Sequence, residues 1–139
     1  MARYNKQAIY LDLCALRKEV RMAGYAESMT ARDRVDFLLP IQEGIARCLR
    51  CYIRAYRAAD AAVKAERIEE LATEFAVMLC DLRIADDEHI WRGKKDADGN
   101  VCAAKRIFDI IPRVDEGIER WTASMKKGRP APELKDAAG

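Results

Sequence analysis

The sequence predicts an all-α protein folded as an antiparallel up-down four-helix bundle, and three observations carry that expectation. Apolar residues recur three and four positions apart in four separate runs, and polar connections join the runs. Hydrophobic residues make up 50% of the chain while aromatics make up only 7%, a composition suited to close-packed helices. A chain of 139 residues is expected to form one domain with a core that needs no staples. The expected division is a bundle over 1–127 and a disordered, basic, proline-containing tail over 128–139.

The first run, 6–23, places Ile9, Leu13, Leu16 and Val20 at helical spacing, with Gly24 as its stop. After a short connection, Thr30 precedes Ala31-Arg32-Asp33 in the pattern of a helix N-cap with an acid at the third position. The second helix is expected to continue to about Lys64, with Leu38, Ile41, Ile45, Leu49, Tyr52 and Tyr56 inward. Pro40 should kink it, because the apolar spacing continues through Val35 and Leu38 on the near side of the proline.

The third helix, 65–90, is the most regular: Ile68, Leu71, Phe75, Met78, Leu82 and Ala85 form an unbroken seam. A polar loop with two glycines follows, 92–100. Asp96, Asp98 and Asn100 mimic the first calcium ligands of an EF-hand. Val101 and Ile107, however, occupy the positions that need glycine and a bidentate glutamate, so the stretch reads as a turn. The fourth helix, 101–127, carries Ala104, Ile107, Ile111, Val114, Ile118, Trp121 and Met125 inward, with a bend expected at Pro112. On its other side Arg106, Arg113, Arg120 and Lys127 recur every seven residues.

Chemistry of the common enzyme classes is missing from the sequence. There is no glycine-rich phosphate loop and no nucleophile elbow. The single histidine, His89, falls at a helix end, where a surface or capping role is expected. A di-iron bundle needs paired E-x-x-H motifs, and only Asp86-Asp87-Glu88-His89 comes near one. Cys48 and Cys51 form a lone C-x-x-C without the further ligands zinc requires. The five cysteines are therefore expected to be reduced, with no metal and no cofactor. No apolar stretch approaches the roughly 20 residues that span a bilayer, and the start MARYNKQ lacks a secretory apolar region. The expectation is a cytoplasmic, non-enzymatic protein with no membrane partner.

The feature that points to function is a ridge of arginines. Net charge is only +2, but residues 65–100 are acidic and the other segments lean basic. Within the second helix Arg47, Arg50, Arg54 and Arg57 fall along one narrow face, opposite Ile45, Leu49, Tyr52, Tyr56 and Val63. Arginine suits phosphate because its planar fork donates two hydrogen bonds at once. Arg113 and Arg120 supply a second basic line. The competing reading pairs these arginines with Glu66, Glu69, Glu70 and Glu74 of the same or a neighbouring subunit. A third reading uses Cys48 and Cys51 for metal or redox sensing.

Three local patterns resemble a known family. They are Ile41-Gln42-Glu43-Gly44-Ile45 with Ala55-Tyr56 and Lys64, then Leu79-Cys80-Asp81-Leu82-Arg83-Ile84-Ala85, then Ile118-Glu119-Arg120-Trp121-Thr122-Ala123-Ser124. Together, over roughly residues 8–127, the chain resembles the four-helix-bundle family of the accessory variability determinant (Avd) of diversity-generating retroelements. Proteins of ribosomal RNA intervening sequences belong to the same family. The chain departs from its pattern at Glu119 and Arg120, where the family has glycines before the tryptophan, and in a long third-to-fourth connection. The resemblance implies a non-enzymatic bundle that assembles as a homopentameric ring. In the retroelement branch it implies a reverse transcriptase and structured RNA or DNA as partners. The nucleic-acid-binding residues expected are Arg47, Arg50, Arg54, Arg57, Arg113 and Arg120.

Overall fold

The computed structural model describes residues 7–26 and 29–126. The expected tail over 128–139 lies outside the described residues, as does Lys127. Among the described residues the fold is all-helical, with four helices and no β-strand, although an isolated antiparallel bridge joins Lys95 to Val101.

Helix α1, Ala8–Ala23, turns Ile9, Leu13, Leu16 and Val20 into the core. Gly24 follows it, but not as a left-handed cap: its φ is −68°. Glycine is needed there for space, because a Cβ would collide with the Leu38 side chain. Arg34 seals the exit by donating from Nε to the Gly24 carbonyl at 2.8 Å and from Nη2 to the Ala26 carbonyl at 3.2 Å.

Helix α2 opens as expected, with Thr30 Oγ1 accepting the Asp33 amide at 3.0 Å. It consists of α-helical Ala31–Asp33, a π-helical segment Arg34–Leu38 and α-helical Leu39–Arg57. Pro40 has no amide to donate, and just ahead of it the Leu39 amide reaches back to Arg34, five residues earlier. This wider turn replaces a simple kink. It rotates Val35 outward, to 62% exposure, while Leu38 stays buried. The inward apolar spacing therefore does not extend through Val35.

The expected end of α2 near Lys64 is overturned. The helix stops at Arg57, Ala58 adopts extended backbone, and α3 runs Ala61–Asp87. The cause is Asp60, whose carboxylate accepts the Ala62 and Val63 amides at 2.8 and 3.1 Å and so begins a new helix. Val63 thereby belongs to α3 and is exposed. At the other end of α3 the Ile90 amide bonds to the Ala85 carbonyl and the His89 amide to the Asp86 carbonyl. That is a Schellman closure. His89 takes the left-handed position, φ 55°, that glycine usually fills. The chain then carries Ile90 and Trp91 back into the core.

Helix α4, Cys102–Lys126, is continuous through Pro112. The core seam expected from the sequence is present: Leu71, Phe75, Met78, Leu82, Ile111, Ile118 and Trp121 are all buried. The most extensive helix contacts are α2 with α3 and α1 with α4, and α1–α2 and α3–α4 contacts complete the circuit. Two glycines let helices approach closely. A Cβ at Gly44 would lie 2.9 Å from Met78 Cγ, and one at Gly117 would lie 2.8 Å from Ile9 Cγ1. Among the described residues no helix is long and apolar enough to cross a membrane.

Candidate nucleic-acid interface

The position of each arginine follows from which face of α2 or α4 is buried. Tyr52 is the anchor of α2. Fully buried, its ring lies 5.3 Å from that of Trp121 and 6.2 Å from that of Tyr56. Burial raises the Tyr52 hydroxyl above its ordinary pKa, so it stays neutral. With that face turned inward, Arg50, Arg54 and Arg57 are exposed on the far side.

The six candidate arginines do not behave alike. Arg47 lies toward α3 and donates from Nε to Glu74 Oε2 at 3.1 Å, both side chains being about a third exposed or a little more. Arg113 reaches across to Asp12 of α1 at 3.5 Å, and Arg120 pairs along its own helix with Glu116 at 3.6 Å. Arg50, Arg54 and Arg57 form no ion pair with the described residues. Along α4 the neighbouring Arg106 is also engaged, donating to Glu19 of α1 at 2.8 Å. The ridge thus divides into one arginine held in the bundle and three that face outward.

Glu70 and Glu74 of α3 approach the same ground. Cys51 feels both carboxylates and, in the opposite sense, Arg54 and Arg50; burial is the leading cause of its raised pKa. Its partner in the C-x-x-C, Cys48, is buried and pushed up to about 12, first by burial and then by Cys51 and Glu74. A thiol held protonated in this way is a poor metal ligand and a poor nucleophile. Among the described residues no three His, Cys, Asp or Glu side chains gather as a metal site, and all five cysteines are free. On α3 itself Glu70 is shared with Arg67 at 3.0 Å.

Sequence reasoning missed the partners on α1. Asp12 and Glu19, seven residues apart, match Arg113 and Arg106, seven residues apart. The equal spacing was the available signal, but only the fold says which helices meet. His89, placed by the sequence at a helix end, stands there exposed.

Comparison with known proteins identifies no relative: no family model, no curated protein and no solved structure matches the chain.

Proposed function

We propose that this chain is a non-enzymatic, nucleic-acid-binding accessory subunit that assembles as a ring and supports the reverse transcriptase of a diversity-generating retroelement. The observation that carries the nucleic-acid part is the outward trio Arg50, Arg54 and Arg57, three exposed guanidinium groups on one helix face with no ion pair to the described residues. Unpaired among the described residues, their forks suit phosphate. The polymerase and the homopentameric ring rest on the family resemblance of the sequence, and a cytoplasmic location on its lack of a long apolar stretch. An antiparallel up-down course is supported by contacts that run in reversed order. Gly44 meets Met78 and Arg47 meets Glu74, while Ile9 meets Gly117, Asp12 meets Arg113 and Glu19 meets Arg106.

A second reading, a protein-interaction bundle without a nucleic-acid role, is favoured by the Arg47–Glu74 pair, since it shows the acidic face of α3 already neutralising part of the ridge. Binding to structured RNA as salt is raised separates the two. Phosphate contact predicts a steep fall, and Arg50, Arg54 and Arg57 all changed to alanine should flatten the slope by roughly two to three units. A triple variant that folds, assembles and keeps the parental salt slope leaves the interaction reading.

A further inference from the structure

Helix α3 carries two apolar stripes, and the bundle accounts for one of them. Ile68, Leu71, Phe75, Met78, Leu82 and Ala85 form the buried seam. Val77, Cys80 and Ile84 recur at the same three-and-four spacing on the opposite side of the helix. At about 100° per residue they fall within an arc of roughly 60°. Val77 is 47% exposed and Ile84 53%, and Cys80 stands exposed between them. The solvent side of a bundle helix is ordinarily polar, so an apolar stripe there marks a surface without a partner in the fold.

Both ends of this face are charged, and with opposite sign. Toward the start of α3 the face continues through Glu66, Glu69 and Glu70, all exposed. Just past the end of the helix come Arg92, Lys94 and Lys95, also exposed. Glu70 is shared with Arg67. Glu66, Glu69 and the three cations form no ion pair with the described residues. The face therefore runs acidic, apolar, basic.

That order is self-complementary. Two copies of α3 can lie antiparallel about a twofold axis that crosses the face between Cys80 and Asp81. Val77 of each copy then meets the partner's Ile84, because the two positions are equally far from the axis. The same axis carries the acidic start of one helix past the end of the other, toward the exposed cations that follow it. A parallel arrangement would set acid against acid. A foreign acidic helix would be repelled at one end of the face, and a basic one at the other. One patch meeting itself about a twofold axis is also the commonest way in which identical chains associate.

We propose that the exposed face of α3 is a twofold contact with a second copy of this chain, centred on Val77, Cys80 and Ile84, with the acidic and basic ends crossing between partners. The contact goes beyond the ring, since it pairs two chains or doubles whatever ring they belong to. Arg50, Arg54 and Arg57 stand on α2 and take no part in it, so it is independent of the nucleic-acid reading. One helix per chain makes a contact at the small end of specific interfaces, which bury about 1,200–2,000 Å² in all. Pairing should therefore rise with protein concentration.

The test follows mass by light scattering from micromolar to millimolar protein. The double variant Val77→Glu, Ile84→Glu sets like charges against each other across the axis and should halve the mass that the parental chain reaches. Val77→Glu, Ile84→Lys sets opposite charges against each other in this register alone, and should restore most of the parental mass. All the changed side chains are exposed, so Tm measured at micromolar protein should stay near parental. A mass that the like-charge variant leaves unchanged overturns the proposal. An opposite-charge variant as fully dissociated as the like-charge one overturns it as well. If either variant does not fold, the parental chain decides through a short bismaleimide crosslinker, because Cys80 is the exposed one of the five cysteines. A crosslinked pair is expected, and Cys80→Ser should lose it; a parental chain that gives no Cys80-dependent pair overturns the contact. If the ring fails, the parental mass is that of two chains and still falls to one in the like-charge variant, so the two failures are read apart.

Discussion

Arg47 of α2 donates to Glu74 of α3 at 3.1 Å, across the most extensive helix contact in the bundle. The two residues are 27 positions apart, and their meeting assigns Arg47 to the internal pairing of the helices. Its neighbours one, two and three turns on face outward instead. One helix face thus serves two purposes, with its division set by the line along which α3 packs.

Arg47→Ala is expected to cost about 0.2–1 kcal/mol, the range of partly exposed ion pairs, and Glu74→Ala a similar amount. Urea unfolding of the two single variants and the double variant isolates the coupling. The salt slope of RNA binding should stay near parental in Arg47→Ala. A slope that flattens by about one unit would return Arg47 to the phosphate contacts.

His89→Gly is expected to stabilise the protein by about 1 kcal/mol, because an L-residue in the left-handed region carries a penalty of about 1–2 kcal/mol that glycine escapes. The greater freedom of glycine in the unfolded chain offsets part of the gain. Thermal unfolding should show Tm raised by a few degrees. An unchanged or lower Tm would mean that the His89 side chain contributes packing of comparable size.

Phe75→Ala and Trp121→Ala should each cost about 3–5 kcal/mol, since both residues are buried in the seam and leave cavities that helices close poorly. Denaturant unfolding at constant slope measures this. A cost near zero for either would contradict its place in the core.

Asp12 supplies a pH prediction. Burial raises its pKa, and the Arg113 guanidinium lowers it by less, so the net shift is upward. A carboxyl raised in the folded state favours folding below its unfolded pKa and loses that contribution as pH rises through the raised value. Relative to Asp12→Asn, the parental protein should therefore lose stability from acid toward neutral pH. At pH 7 the variant should be as stable as the parent or more so, with Arg113 released from its partner. Unfolding midpoints at pH 3 to 7 decide it, and a variant penalised only at pH 7 would reverse the sign.

The periodic apolar runs made the four helices and their core legible in the sequence, because burial on one side forces a 3.6-residue repeat. The unread parts were those where a local capping side chain or backbone turn overrides the repeat. Asp60 starts a helix inside a run whose apolar spacing looked continuous. The π segment before Pro40 adds a residue to a turn, so Val35 faces solvent although its spacing matches Leu38. Trp91 lies past the end of α3, in a stretch with no period, yet the Schellman turn folds it inward.

Sequence alone determined the class of fold, the core seam, the Thr30 cap and the presence of four arginines along one helix face, since each depends on residues within a few turns of one another. Tertiary structure decided which of those arginines are available. Arg47 finds Glu74 and Arg113 finds Asp12 only because separate helices pack in a particular register, whereas Arg50, Arg54 and Arg57 stay exposed without an ion pair to the described residues. It also decided that Asp86, His89, Trp91, Asn100, Lys105 and Phe108 surround one cavity. A helical repeat specifies the face on which a side chain stands. What that face meets depends on contacts between residues far apart in the chain, and those exist only once the core has closed.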